Sequence, residues 1–225
     1  VLHKVPNHEF ETGKTVQTEI DWSRRKQLMQ HHSTTHMVNG ATREILGNHI
    51  YQAGAHKTVE KARLDLTHYE KISRNKLDEI EGLVQKMINE DHEISAERMK
   101  KGKAEQKYGF RIYQGGAPPG NEVRIIKIDE VDIEACGGTH LPSSGEAEQF
   151  YITGSKRIQD GVIRIEYKAG KAAEEFINSI EKRMEDISGK LDTELESNPR
   201  IAQRDLCDTF SVEPEQLIDT VNRFI

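Results

Sequence analysis

The chain has 225 residues, 31% of them charged and 35% hydrophobic, enough for one sizeable core with an appendage and too little for two full cores. Its formal charge of −6 speaks against a protein that coats nucleic acid through a basic surface, while leaving a docked RNA end open. No apolar run approaches the roughly 20 residues of a membrane span, no signal peptide precedes the first residues, and two cysteines, Cys136 and Cys207, make no disulfide framework. A reduced, cytoplasmic setting without a membrane partner is expected.

In chain order, residues 1–20 read as strand material, with a turn at Glu11-Thr12-Gly13-Lys14 and the alternating run Thr15 to Ile20. Two strands alone are marginal in water, so they are expected to belong to a truncated barrel upstream or to pack on the main domain. Asp21 can cap a helix from Trp22 that ends at Gly47. Tyr51-Gln52-Ala53-Gly54-Ala55 then reads as a small-residue loop, which puts Gln52 between that helix and the half-buried strand Lys61–Thr67. Ser73 can cap a helix whose Leu77, Ile80, Val84, Met87 and Ile88 repeat at helical spacing. A further helix is expected from about Ser95 to Lys107, after which Tyr108-Gly109-Phe110 restarts a strand pattern.

From Arg111 to Lys168, strands at 123–128, 150–158 and 162–167 alternate with turns, and Asp160-Gly161 between two apolar runs is a hairpin signal. The expected fold class is α+β, an antiparallel sheet covered on one face by the helices of residues 22–107. Gly170 ends that domain, which gives residues 21–170 as one unit. Residues 171–225 read as a helical extension: one amphipathic helix over Ala172–Ile187, a break at Ser197-Asn198-Pro199, and a second helix from Pro214 with Leu217, Val221 and Phe224 on one face. These stripes lack a partner, so the helices are expected to pack weakly or to pair with another molecule.

Two short stretches carry chemistry. His32 and His36 stand four residues apart on one helix face, and Cys136 and His140 flank a glycine pair, Gly137-Gly138, that favours a tight loop. One thiolate with three imidazoles suits Zn²⁺ in tetrahedral coordination. Ser33 stands where a zincin has its general-base glutamate, so protease chemistry is not expected. Four protein donors close the shell, which leaves a structural and a catalytic ion both open. The remaining histidines, His31, His49, His56, His68 and His92 among them, read as surface residues.

The runs Asp21-Trp22-Ser23-Arg24-Arg25 with His31–His36, Tyr51-Gln52-Ala53-Gly54, Tyr113-Gln114-Gly115-Gly116, Glu134-Ala135-Cys136-Gly137-Gly138-Thr139-His140 and Arg157-Ile158-Gln159-Asp160-Gly161-Val162 resemble the editing domain of archaeal-type alanyl-tRNA synthetase. The resemblance covers residues 1 to about 170, and residues 171–225 look like the start of that enzyme's helical linker to its oligomerisation domain. It implies an internal fragment that hydrolyses serine or glycine wrongly esterified to tRNA(Ala), with Zn²⁺ on His32, His36, Cys136 and His140. Gln52 matches a glutamine of the editing pocket, Gly137, Gly138 and Thr139 would face the substrate, and the C-terminal region would support a homodimer. The glycine-rich first part of the editing domain is absent. Readings left open beside this one are a threonyl-type editing domain, a free-standing deacylase, and a non-catalytic, zinc-stabilised RNA-binding module.

Overall fold

A computed structural model describes residues 4–6, 9–193 and 198–224. Helix α1, Trp22–Leu46, begins where Asp21 accepts a hydrogen bond from the Arg24 N–H at 3.0 Å and stops at Gly47. Its middle is buried on nearly every side, and more than half of the buried residues between Met29 and Thr42 are polar. Such a helix can be enclosed only where most of its polar atoms find partners; of its buried middle, His36 Nε2 and Asn39 Oδ1 are without one among the described residues. Thr34 and Thr42 bond back to the carbonyls of Gln30 and Val38 at 2.8 and 2.7 Å, Thr35 shares a 2.6 Å bond with the Tyr167 hydroxyl, and Gln30 donates to the Glu146 carbonyl at 3.0 Å.

Two antiparallel sheets flank this helix. Strands β1 (Gln52–Lys57), β2 (Ala62–Thr67), β6 (Phe150–Gln159) and β7 (Val162–Ala169) form the first, in the order β1-β2-β7-β6. Strands β3 (Ile94–Lys100), β4 (Glu122–Ile128) and β5 (Asp132–Ala135) form the second, in sequence order. Met37, Val38 and Ala41 of α1 share one core with Leu64, Leu66, Ile165 and Tyr167 of the first sheet and with Leu77, Ile80 and Val84 of α2, Arg74–Asn89. The expected α+β class holds, with the strands divided between two sheets. Helix α2 also covers the outer edge of β6: Gln85 Oε1 accepts from the Phe150 N–H at 3.1 Å and Glu81 Oε2 from the Ile152 N–H at 2.7 Å.

Several expectations are corrected. The helix expected from Ser95 to Lys107 is strand β3 followed by α3, Lys101–Tyr108, because residues 94–100 pair in full register with β4, from Ile94↔Ile128 to Lys100↔Glu122. Gly109 then leads into a short 3-10 turn, Phe110–Ile112, in place of the expected strand. Gln52 opens strand β1 and does not sit in a loop. Among the described residues of 1–20 no strand forms; Thr15–Ile20 runs exposed with no ladder partner. Strand β5 lies outside the expected set, since its four residues are too few for a periodic signal.

The C-terminal helices are not partnerless. Ile180, Met184 and Ile187 of α4 (Lys171–Leu191) enclose a small core with Leu217 and Val221 of α6 (Leu217–Val221) and with Ala202 and Leu206 of α5 (Pro199–Phe210). Helix α5 follows the expected break and lies outside the expected set: Asn198 accepts from the Arg200 N–H at 2.9 Å and Pro199 takes the first helical position, so Asn-Pro also starts a helix here. Ser197 of that expected break lies outside the described residues. Phe224 does not join the Leu217–Val221 face; it is exposed, with its ring 5.3 Å from that of Phe210.

One close approach ties α1 to the second sheet. A Cβ on Gly40 would stand 2.7 Å from the carbonyl oxygen of Val131, in the turn between β4 and β5. Gly40→Ala is therefore expected to lower stability by about 1–3 kcal/mol in urea unfolding; an unchanged midpoint would show that the turn yields freely.

Candidate metal centre

The four expected ligands converge. Nitrogen and sulfur donors of His32, His36, Cys136 and His140 all lie within 4.8 Å of one another. Helix periodicity supplies the first pair, one turn apart on α1, and the loop after β5 supplies the second. Cys136 Sγ stands 3.3 Å from His32 Nε2 and 3.4 Å from His140 Nε2. An ion with bonds of about 2.0–2.3 Å in tetrahedral geometry separates its ligands by roughly 3.3–3.7 Å, so this spacing suits one such ion.

All three imidazoles turn the same way. His32 Nδ1 faces the Thr139 carbonyl at 3.1 Å, His140 Nδ1 faces Ser33 Oγ at 3.4 Å, and His36 Nδ1 faces Glu134 Oε2 at 3.0 Å and Asp132 Oδ2 at 3.3 Å. Each histidine thus uses Nδ1 on the protein and turns Nε2 into the cluster. His36 Nε2 is buried with no hydrogen-bond partner among the described residues, the mark of a donor atom that awaits a ligand. Carboxylate and carbonyl partners on the far nitrogen fix the tautomer and raise the basicity of the ligating one.

The electrostatics agree. Burial raises the Cys136 thiol, but His140, His32 and His36 outweigh it and bring it down to about 3, the thiolate that a soft metal binds. Burial pushes His140 down to about 4, which keeps its ring neutral. For His36, burial acts downward and is overcome by Glu134 and Asp132, so the ring is strongly basic. Burial and the neighbouring Asp132 in turn push Glu134 upward. His36, Asp132 and Glu134 do not make a second cation site, because Arg43 Nη1 already donates to Asp132 at 3.1 Å and Asn39 donates to Glu134.

Gly138 is set by contact. A Cβ there would lie 2.1 Å from His32 Cε1, so only a glycine lets the loop close over that ring. Arg124 holds the loop from behind, donating to the carbonyls of Cys136 at 3.0 Å and Gly138 at 2.7 Å. The backbone N–H groups of Gly137 and Gly138 have no hydrogen-bond acceptor among the described residues, and Gly137 and Thr139 are exposed. The cluster is thus deeply buried at His36 and half-open at His32, Cys136 and His140.

Gln52 is not brought into this group. Its amide is 3.4 Å from Gln114 Oε1, and no bond links it to the four ligands among the described residues. The register of β1, with Gln52 opposite Leu66 and Lys57 opposite Ala62, nevertheless puts both on the face of the sheet that α1 covers. Lys57, Ser33, Asp132 and Glu134 are the residues that sequence reasoning missed. Burial lowers the Lys57 ammonium while Cys136 and Glu134 pull it back up, so it sits within their field. Asp132, Glu134 and Cys136 stand at i, i+2 and i+4, one face of a strand, and that alternation was the available signal. His31 and His68, expected on the surface, are buried.

Residues 123–166 match the family described as the threonyl and alanyl tRNA synthetase second additional domain. Over all 225 residues the chain is 40% identical to an alanine–tRNA ligase of Ignicoccus hospitalis and 42% identical to one of Thermococcus kodakarensis, spanning 24% and 22% of those proteins. A 174-residue stretch, 77% of the chain, is 47% identical to 19% of the alanine–tRNA ligase of Pyrococcus abyssi. The chain belongs to the alanine–tRNA ligase family. It spans about a quarter of the length of these alanine–tRNA ligases or less. Strands β4 to β7, the Cys136–His140 loop among them, carry the second-additional-domain match, and α1 with His32 and His36 lies in the part shared with the ligases.

Two substitutions test the geometry. Glu134→Gln keeps an acceptor for His36 Nδ1 and removes its charge, so affinity for a divalent ion, measured by competition with a chromophoric chelator, is expected to fall about 10- to 100-fold. Gly138→Ala forces the loop off His32 and is expected to weaken the ion at least as much, with the fold retained by circular dichroism. Wild-type affinity in either variant would sink the corresponding contact.

Proposed function

We propose that the chain is a zinc-containing hydrolytic editing module that removes serine or glycine wrongly esterified to tRNA(Ala), acting in the cytoplasm on the acceptor end of that RNA. The observation that carries this is the four-donor cluster of His32, His36, Cys136 and His140, on a chain of alanine–tRNA ligase sequence. We take residues 21–170 as the unit that edits and residues 171–225 as a helical continuation of it.

The chemical need is plain. A synthetic site shaped for alanine cannot strongly reject glycine, which lacks one methyl, and it discriminates against an added hydroxyl by only roughly 10²-fold. A second, hydrolytic site removes what the first lets through. Bound by the four donors, Zn²⁺ supplies Lewis acidity towards a carbonyl or a water. The chain itself would orient the ester: the N–H groups of Gly137 and Gly138, without an acceptor among the described residues, are available to donate to developing negative charge on the carbonyl oxygen. Thr139 adds an exposed hydroxyl, and Gln52, on the α1-facing side of β1, offers an amide donor and acceptor to the ribose or the ester.

A second reading, Zn²⁺ as a purely structural ion in a non-catalytic RNA-binding module, is favoured by the closed four-donor set. Single-turnover release of serine from Ser-tRNA(Ala) separates the two, with mischarged threonine tRNA as comparator for a threonyl-type site. Cys136→Ala is expected to lower zinc content and hydrolysis together. Gln52→Ala is expected to keep zinc and melting temperature while hydrolysis falls by about 10- to 10³-fold. A lowered melting temperature with hydrolysis retained would instead make Gln52 a tie to the loop of Gln114. No hydrolysis by zinc-loaded wild type would leave the structural-ion reading standing.

A further inference from the structure

Three exposed rings lie on segments tied to residues 48–51, just past the C-terminus of α1. Tyr51, Tyr69 and Phe110 are 43%, 68% and 75% exposed. Single exposed aromatics are ordinary on a protein surface, but these three stand on adjoining segments held in place from below. His49 Nε2 and His68 Nδ1 are 2.8 Å apart in a stacked pair, with ring centroids 5.1 Å apart. Tyr69 leans on both, at 5.3 Å from His49 and 4.8 Å from His68. Arg111 lies over the Tyr51 ring at 5.1 Å and is fixed by its 2.9 Å bond to the Asn48 carbonyl. Thr67 clamps the same corner, accepting from the Tyr51 N–H at 2.8 Å and donating to the His49 carbonyl at 2.6 Å. Among the described residues no carboxylate comes within 4 Å of Arg111, although it lines a cavity that also holds Glu130 and Asp132.

Exposed π-faces beside an unpaired, pre-oriented guanidinium are what unpaired nucleobases stack on, with the cation available to the phosphate backbone. A protein partner would call for a broader apolar patch, and here Tyr69 adjoins two imidazoles and Tyr51 a guanidinium. Tyr51 adjoins Gln52, which touches Gln114 at 3.4 Å. From His36 to Leu46 the helix runs ten residues, about 15 Å, so the platform lies some way along α1 from the metal cluster. We infer that Tyr51, Tyr69 and Phe110, with Arg111, form a stacking platform for the unpaired bases of an RNA 3′ end whose last residue reaches the cluster. This rests on the reading that the chain acts on an RNA-linked ester and names the surface that holds the nucleotides just before that ester.

The probe is an RNA hairpin with a four-nucleotide unpaired 3′ tail, compared with the same hairpin ending blunt, with binding followed by fluorescence anisotropy. The wild-type chain is expected to prefer the tailed hairpin. Tyr69→Ala with Phe110→Ala is expected to lose about tenfold or more of that preference; Tyr69→Phe with Phe110→Tyr, which keep the rings, are expected to retain it. Melting temperatures should match in all of these, since both side chains are exposed. Equal wild-type affinity for tailed and blunt hairpins overturns the platform, as does a preference that survives the alanine pair. Self-association of the chain abolished by that pair, without a tail preference, makes the corner a protein contact and overturns it too. Serine release from Ser-tRNA(Ala), measured on the same preparations, keeps the readings apart: a platform without hydrolysis removes the editing function alone, and hydrolysis without a tail preference removes the platform alone.

Discussion

The organising constraint of this fold is that a helix more polar than apolar in its buried middle has to be enclosed. Each unmatched polar group inside would cost about 1–3 kcal/mol, so the elements around α1 are placed by what its side chains require. Tyr167 of β7 answers Thr35, Glu134 of β5 answers Asn39 and His36, the Thr58 carbonyl just beyond β1 answers His31 at 2.7 Å, and the Thr139 carbonyl answers His32. The apolar contacts of Met37, Val38 and Ala41 supply driving force, while the polar contacts dictate which strand lies where. Both sheets therefore meet on one helix.

The four-donor cluster is a by-product of the same rule. The Nδ1 atoms of three histidines are satisfied by backbone or side chains, and the Nε2 atoms are left facing one another and the Cys136 sulfur. Donors held on a capped helix and on a strand-anchored loop are positioned more tightly than donors on free loops. Gly138, Gly40 and Gly170 are places where this enclosure leaves no room for a side chain: at the ligand loop, where α1 touches the turn that leads into β5, and where the start of α4 meets Gln30.

Much of this is legible from residues. The capping aspartate and terminal glycine of α1, the Asp160-Gly161 hairpin, the helix of Leu77 to Ile88 and the four donors all follow local rules of period, cap and turn. What escapes is what long-range partners decide. Residues 94–100 carry helix-compatible charges, and only their pairing with β4 makes them a strand. The carboxylates behind His36 lie on a four-residue strand too short to announce itself, although Asp132, Glu134 and Cys136 alternate along it. Asn198-Pro199 reads as a break between helices, and its second use, as the start of α5, goes unread. The role proposed for Gln52 comes from resemblance and not from a local rule; its own side-chain contact is with Gln114.

The outer edge of β6 shows how the two rims of the larger sheet differ. A sheet's last strand presents unpaired N–H groups that can recruit a strand from another molecule. On β6 two of those groups, at Phe150 and Ile152, are already bonded to Gln85 and Glu81 of α2, so an incoming strand would have to displace a packed helix before it could pair there. The opposite rim, β1, has no such cover from α2, but its register slips between Gln52 and Gly54, and an irregular strand is a poor template for a regular one. The larger sheet is therefore guarded at both rims by unlike devices, steric on one side and geometric on the other, and a chain crowded among its own copies gains little by extending it.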